Sequence, residues 1–330
     1  MPVPDRVSLY QHLPLETPFA LHVFPIHRCN FRCRYCLHSL PAKKLLEMKF
    51  KKDVLPFPLY RKVIDDLELF SKPLKSLIFA GHGEPLLHPE IAEMVAYAKE
   101  KHFADRVEIV TNASLLTHDM ADALISAGLD RLRISIQGID QDMYKNVAGV
   151  RLDFNQFVNN IRYFFERKQH TDVYIKIIDL ALKSRSEEDF FYKTFNPICD
   201  TAAVEYTIPF VNEIDLSVYS SFDHAKQGHA AHRFNICSMP FYQIVLLPSG
   251  KVTGCCAVTP PVIFGSAEKD TLSTIWNNSI RSNFLLSQIN DRDRNPVCRD
   301  CSVPKYGLQP GDELDPHKEA LLKKFHKGEP

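Results

Sequence analysis

The sequence predicts an α/β protein. Six strand–helix units build a parallel sheet, either a partial (β/α)6 barrel or an open doubly wound sheet, and a small β-hairpin-plus-helix region follows. Two observations predict this. From about residue 20 to 210, strand-like apolar runs alternate with helix-period segments, the pattern of parallel strands joined by crossover helices. The cysteines gather in two groups, at 29, 33 and 36 and at 237, 255, 256, 298 and 301, with Cys199 apart from both. Six units are two short of a closed eightfold barrel, and in either architecture the site lies at the carboxyl ends of the strands.

The elements follow in order. Residues 21–24 form a short apolar run, and after Pro58 the residues Tyr60, Val63, Ile64 and Leu67 share one helical face. Residues 76–80 read as a buried strand, 90–101 as a helix and 106–110 as a strand. Thr117 caps a helix that ends near Gly128. Residues 131–136 are a strand, and Phe154, Phe157, Val158, Ile161, Phe164 and Phe165 form a helical stripe that reads as core rather than as a cofactor platform. A strand over 173–178, a helix over 186–195 and a strand over 203–208 complete the set.

Residues 212–236 are mixed polar sequence and read as a linker. Its histidines 224, 229 and 232 read as a polar loop rather than a metal site, because no carboxylate or cysteine pattern completes them. Residues 241–247, Pro248-Ser249-Gly250 and 251–253 read as a β-hairpin, and 272–276 open a short helix. The expected organisation is an N-terminal extension (1–17), the partial barrel (18–211), the linker (212–236), the hairpin-and-helix region (237–310) and a charged, mobile tail (311–330).

Composition narrows the function. The chain has 330 residues, 45% hydrophobic and 24% charged, so its core needs no disulfide staples. Lys+Arg and Asp+Glu are both 40, which argues against a general nucleic-acid or anionic-membrane binder. No apolar run reaches membrane-spanning length and no signal-peptide pattern opens the chain. A cytosolic location follows, where clustered cysteines read first as metal ligands.

Cys29, Cys33 and Cys36 form a C-x3-C-x2-C run directly after the first strand. Three thiolates on one short loop can hold three irons of a [4Fe–4S] cluster and leave the fourth iron open to a substrate. Zinc, with His27 or His38 as fourth ligand, is the alternative. Tyr35 either packs in the core or shields the cluster.

This motif after a first strand resembles the radical S-adenosylmethionine (SAM) superfamily, and four features match it in order. Gly81-His82-Gly83-Glu84-Pro85 stands where the family has a GGEP-like turn. Thr111-Asn112-Ala113 closes the third strand and Ser135-Ile136-Gln137-Gly138 the fourth, and the fifth carries Lys176. The resemblance covers about residues 18–210. It implies that backbone carbonyls around Gly81–Gly83 accept from the SAM ammonium and that Glu84 adds negative charge nearby. Thr111, Asn112 and Ser135 then line the SAM carboxylate or ribose and Gln137 bonds a hydroxyl, or Thr111, Ser135 and Gln137 only satisfy backbone groups at the strand ends. Lys176 reads first as a solvated or salt-bridged lysine and second as a partner of the SAM carboxylate. His82 for glycine and Gln137 for aspartate depart from the pattern.

Cys237, Cys255, Cys298 and Cys301 supply four thiolates, which zinc and [4Fe–4S] both accept. Their layout resembles the SPASM and twitch auxiliary-cluster domains of the same superfamily. No cysteine follows Cys301, which points to the shorter twitch form with one auxiliary [4Fe–4S] cluster. Cys256 is a buried structural thiol, an alternate ligand to Cys255, or a hydrogen-atom donor. Cys199 has no catalytic role.

The resemblance implies a radical SAM enzyme that reductively cleaves SAM to a 5′-deoxyadenosyl radical and abstracts a substrate hydrogen. An auxiliary cluster suits oxidation of an alcohol on a sugar- or cyclitol-like molecule, with Asp179 or Glu205 as base. The layout also resembles that of a twitch enzyme that dehydrogenates an amino-cyclitol. A flavodoxin or ferredoxin is the implied electron donor. The alternative is modification of a ribosomal peptide by cross-linking or epimerisation, disfavoured by the 28 residues ahead of Cys29. A non-enzymatic metal-binding or electron-transfer protein is a third reading.

Overall fold

The computed structural model describes residues 8–219 and 222–326. The first seven residues of the expected extension, two of the linker and the last four of the tail lie outside the described residues. Six parallel strands follow the chain in order: β1 (Ala20–Val23), β2 (Ser76–Phe79), β3 (Val107–Thr111), β4 (Arg131–Ile136), β5 (Asp172–Ile178) and β6 (Thr201–Glu205). Each neighbours the next, as right-handed crossovers produce in a partial barrel.

Local chemistry starts the crossover helices. Thr117, Asp140, Asp153 and Ser184 each accept a backbone N–H of the first turn with their side chains. The helices that follow cover His118–Ser126, Gln141–Ala148, Phe154–Arg167 and Arg185–Phe195. Of the aromatic stripe, Phe157, Ile161 and Phe164 are buried in the main core, the one-face spacing of a helix on a sheet.

Beyond β1 the sheet continues with β7 (Gln243–Leu246), β8 (Lys251–Thr253) and β9 (Gly265–Ser266), giving the order β6-β5-β4-β3-β2-β1-β7-β8-β9. The hairpin expected from the sequence forms as β7 and β8, and β7 pairs parallel to β1, Ala20 opposite Gln243. The cysteine-bearing C-terminal region therefore grows from the edge of the main sheet.

Three expectations are corrected. The sixth strand was expected over 203–208 but runs Thr201–Glu205. Pairing starts at Tyr174–Thr201, and the Tyr206 N–H turns away to the Lys226 carbonyl, which ends the strand early. The segment read as a linker is a packed lid. Ile214 and Tyr219 are buried with Val211 against Leu37, Phe234 packs with Val303 and Leu308, and Ile236 packs with Leu9 and Leu13. The tail read as mobile is largely helical, over Lys318–His326, with Leu314 and Leu321 buried among Leu9, Leu13 and Leu285.

Candidate active site

The loop of Cys29, Cys33 and Cys36 leaves the carboxyl end of β1. Its backbone is tied to the helix Gln141–Ala148 by Arg32 N to Ala148 O (2.8 Å) and Arg34 N to Val147 O (2.9 Å). Cys36 N donates to Cys33 O at 2.8 Å, closing a turn that brings those two cysteines together. Burial pushes the Cys29 thiol up to about 12 and raises those of Cys33 and Cys36. Thiols held protonated by burial need the positive charge of a metal centre to become thiolates, so this donor set fits an iron–sulfur cluster.

The turn after β2 is pressed against that loop. Gly81 has φ +109°, and a Cβ there would lie 2.2 Å from the Phe24 ring. A Cβ on Gly83 would lie 2.1 Å from the Ile26 carbonyl oxygen, so neither position admits a side chain. His82 donates from Nε2 to the Cys256 carbonyl at 2.8 Å, and its own carbonyl accepts from His38 Nε2 at 2.8 Å. Burial pulls His82 down to about 3, so the ring is neutral.

Glu84 is buried and fully engaged. It accepts from Leu86 N (3.0 Å), Thr111 Oγ1 (2.5 Å) and Asn112 N (2.8 Å). Burial outweighs these donors and lifts its carboxyl to about 6. The Thr111 hydroxyl expected to face SAM instead pins Glu84, joining the ends of β2 and β3. Asn112 Nδ2 reaches the Cys29 sulfur at 3.9 Å and Asn30 Oδ1 at 3.0 Å. Gln137 accepts from Tyr35 Oη at 2.7 Å and donates to the Ser135 carbonyl at 3.4 Å.

A cavity of about 360 Å³ opens at the carboxyl ends of the strands. Cys29, Cys36, Gly81–Gly83, Ser135, Lys176 and Glu205 line it, all anticipated from the sequence. Glu84, Thr111, Asn112, Gln137 and Asp179 do not. Asp179 accepts from Thr207 N and Oγ1, both at 2.7 Å. Neither expected base stands free. Glu205 accepts from Lys176 Nζ at 2.6 Å and Tyr174 Oη at 3.1 Å, with Lys226 Nζ at 3.5 Å. Burial acts to raise the Glu205 carboxyl, but the two ammoniums hold it well below the usual carboxylate range.

Sequence reasoning missed Lys226, which lies in the segment taken for a linker and lines the cavity. Its backbone is fixed from both sides, donating to Tyr306 O and accepting from Tyr206 N. The nearby Gly228 at φ +89° marks a tight turn and was the available signal. Of the linker histidines, His224 stacks on Tyr206 at 4.7 Å and His232 meets Phe234 edge-on.

A second, apolar cavity of about 40 Å³ is ringed by Cys237, Cys255, Cys298 and Cys301, with Cys256 beside them. Burial pushes Cys237 up to about 12 and raises Cys255, and the charges of Cys237 and Cys301 act on Cys255. On Cys256, raised by burial to about 11, they do not act. Cys255 and Cys256 both line this cavity, and the Cys256 sulfur is also met by Gln243 Nε2 at 3.9 Å. A pocket walled by buried thiols also fits an iron–sulfur cluster. Phe210 lines both cavities. Among the described residues, no three or more His, Cys, Asp or Glu gather tightly enough to hold a single metal ion. No helix among them is long and apolar enough to cross a membrane.

A partial parallel barrel with one three-cysteine loop and a second four-cysteine cavity is the architecture of an iron–sulfur enzyme. The chain belongs to the radical SAM superfamily, whose sequence model matches residues 23–190. The model of an iron–sulfur cluster-binding domain, SPASM, matches residues 237–302. The radical SAM domain binds a [4Fe–4S] cluster and SAM, and the SPASM domain binds further iron–sulfur.

Among curated relatives, the chain is 34% identical over 109 residues to a tungsten-containing aldehyde ferredoxin oxidoreductase cofactor-modifying protein of Pyrococcus furiosus, covering 33% of this chain and 28% of the relative. It is 29% identical over 187 residues to an AdoMet-dependent heme synthase of Methanosarcina barkeri, covering 56% and 48%. The chain thus spans less than half the length of these relatives.

Solved structures share the fold. A complex of BtrN with AdoMet and 2-DOIA superposes with TM-score 0.56 at 16% identity, covering 90% of this chain and 97% of that one. Streptococcus suis SuiB bound to its precursor peptide SuiA gives 0.64 at 15% identity, covering 90% and 72%. Native anSMEcpe with bound AdoMet gives 0.63 at 16% identity, covering 94% and 96%.

Proposed function

We propose that this radical SAM enzyme dehydrogenates an alcohol on a sugar- or cyclitol-like small molecule. In this reading Cys29, Cys33 and Cys36 hold the SAM-binding cluster, and Cys237, Cys255, Cys298 and Cys301 hold one auxiliary cluster. When bound, the first cluster and SAM supply a radical that takes a hydrogen atom, and the auxiliary cluster supplies a one-electron acceptor. Gly81 and Gly83 present backbone rather than side chains to SAM, and Ser135 lines the same wall. The buried lid of Val211, Ile214 and Tyr219 helps keep water out. The alcohol proton passes to Lys176, whose ammonium is lowered to about 7 by burial so that the neutral amine is accessible.

The observation that carries the oxidative reading is the adjacency of the two cysteine sites. They meet at Phe210 and at the hydrogen bond from His82 to the Cys256 carbonyl. Against epimerisation stands Cys256, whose thiol lines the auxiliary cavity and not the larger one.

Iron counting after anaerobic reconstitution tests the reading. The parent is expected to hold about 8 irons and Cys29→Ala/Cys33→Ala/Cys36→Ala about 4. The parent, reduced by dithionite, is expected to release 5′-deoxyadenosine from SAM, and the triple variant none. A parent with about 4 irons, all lost in the variant, overturns the electron-acceptor role and moves redox-neutral chemistry ahead.

A further inference from the structure

The wall of the larger cavity formed by β5, β6 and the lid carries an unbalanced charge. Lys176 Nζ lies 2.6 Å and Lys226 Nζ 3.5 Å from the same oxygen, Glu205 Oε2. All three side chains line the cavity, and Glu205 is the sole carboxylate among its described lining residues. One carboxylate faces two lysine side chains, while Arg133 on β4 has its own carboxylate partner in Glu108 at 4.0 Å. The cavity's two histidines are engaged with backbone, His38 Nε2 with the His82 carbonyl and His82 Nε2 with the Cys256 carbonyl, both at 2.8 Å.

The Lys176–Glu205 pair is buried, while Lys226 at the cavity's edge is 35% exposed. The Lys176 and Glu205 side chains are 11% and 8% exposed. Burial, and then repulsion from Lys226, lowers the Lys176 ammonium to about 7 against the pull of Glu205, and an anion bound beside it would favour the charged form. The Lys226 backbone is hydrogen-bonded on one side to Tyr206 and on the other to Tyr306, which fixes the point from which its side chain reaches the cavity. The cofactors do not supply the missing anion on balance. An oxidised [4Fe–4S] core with three thiolates carries one negative charge, and SAM, with sulfonium, ammonium and carboxylate, carries one positive charge. These two cancel.

We propose that the substrate is a small molecule bearing an anionic group, a carboxylate or a phosphate, that docks against Lys226 and Lys176. This rests on the radical SAM reading of the same cavity and narrows its substrate class. An amino-sugar or amino-cyclitol would bring an ammonium against two others, and like charges at that distance are repulsive. A sugar acid or sugar phosphate restores neutrality and gains charge-assisted hydrogen bonds.

Calorimetric titration of the cluster-loaded, SAM-saturated protein with four compounds on one skeleton tests this: D-glucuronate, D-glucose 6-phosphate, D-glucose and D-glucosamine. At least one anion is expected to bind about tenfold or more tightly than glucose, and glucosamine more weakly than glucose. Whichever anion leads distinguishes carboxylate from phosphate. Lys226→Met is expected to erase the preference and Lys226→Arg to keep it. Anions that bind no better than glucose, or not at all, overturn the inference and mean that Lys176 sits neutral in the cavity. A preference that survives Lys226→Met overturns it too. So does a Lys226→Met protein that loses SAM affinity instead, since the SAM carboxylate would then be the anion. If the loaded parent fails to bind SAM, it is the assignment of the cavity to SAM that has failed, and this inference falls with it.

Discussion

His82 Nε2 donates a 2.8 Å hydrogen bond to the backbone carbonyl of Cys256 and so joins the glycine turn after β2 to the loop that carries Cys255. The bond fixes the tautomer: Nε2 bears the proton, and the buried Nδ1 is left as an acceptor without a partner. Glycine, the usual residue of such a turn, offers no side chain to reach Cys256. His82→Phe keeps the ring bulk and removes the donor. It leaves the Cys256 carbonyl with one partner fewer in a buried setting, which costs about 1–3 kcal/mol. Thermal melts of the loaded protein read this directly, and an unchanged melting temperature would mean that the contact adds no stability.

The glycine turn itself leads to a second prediction. Gly83 is enclosed by backbone: a Cβ would approach the carbonyl oxygens of Ile26 at 2.1 Å and Arg28 at 2.7 Å. Neither is the flexible end of a side chain, so relief requires moving the segment that leads into Cys29. Gly83→Ala is expected to lose the iron of the three-cysteine loop while keeping that of the auxiliary cavity, halving the iron count. It is also expected to weaken SAM binding at least tenfold. Full iron loading with parental SAM affinity would show that the loop yields cheaply.

Much of this was legible in the sequence, for identifiable reasons. β4 falls at its expected residues, 131–136, because its apolar and polar residues alternate and β3 and β5 pair with it on both sides. The cysteine loop and glycine turn were legible because chemistry and backbone sterics restrict them to a few residue types. Roles that depend on long-range partners were not. Thr111 and Gln137 looked available to a ligand, but Glu84 and Tyr35 already hold them. Lys226 sits 50 residues after Lys176, and only the fold brings both to Glu205. The lid and the C-terminal helix were missed because few apolar residues carry their packing, Ile214 and Leu321 among them.

Lys176 gives the chain a pH signature. Its folded pKa is lowered from 10.5, chiefly by burial. Below that unfolded value the unfolded chain binds more protons than the folded one, so stability rises with pH through that window. As pH falls, the folded chain must hold a buried ammonium and the contribution is lost. Lys176→Met lacks the titration. The parent should therefore gain on the variant between about pH 7 and about pH 9, by up to about 1.4 kcal/mol per unit. Paired melts across that range test it, and a constant difference would mean that Glu205 keeps Lys176 charged throughout.

Arg292 supports the last prediction. It is 4% exposed and lines the four-cysteine cavity. One guanidinium nitrogen donates to the Cys298 carbonyl and another to Asp293 at 2.7 Å, while Nε is buried without a partner. Asp293 is half exposed, so water screens its charge more than that of Arg292. A cluster on four thiolates becomes more negative on reduction, and a buried cation beside it favours that form. Arg292→Gln keeps much of the shape and removes the charge. It is expected to lower the reduction potential of the auxiliary cluster and to leave that of the SAM-binding cluster in place. Redox titration followed by electron paramagnetic resonance separates the two. A fall confined to the auxiliary signal would identify Arg292 as the residue that makes this cluster an electron acceptor, and equal potentials in parent and variant would reduce it to a packing role.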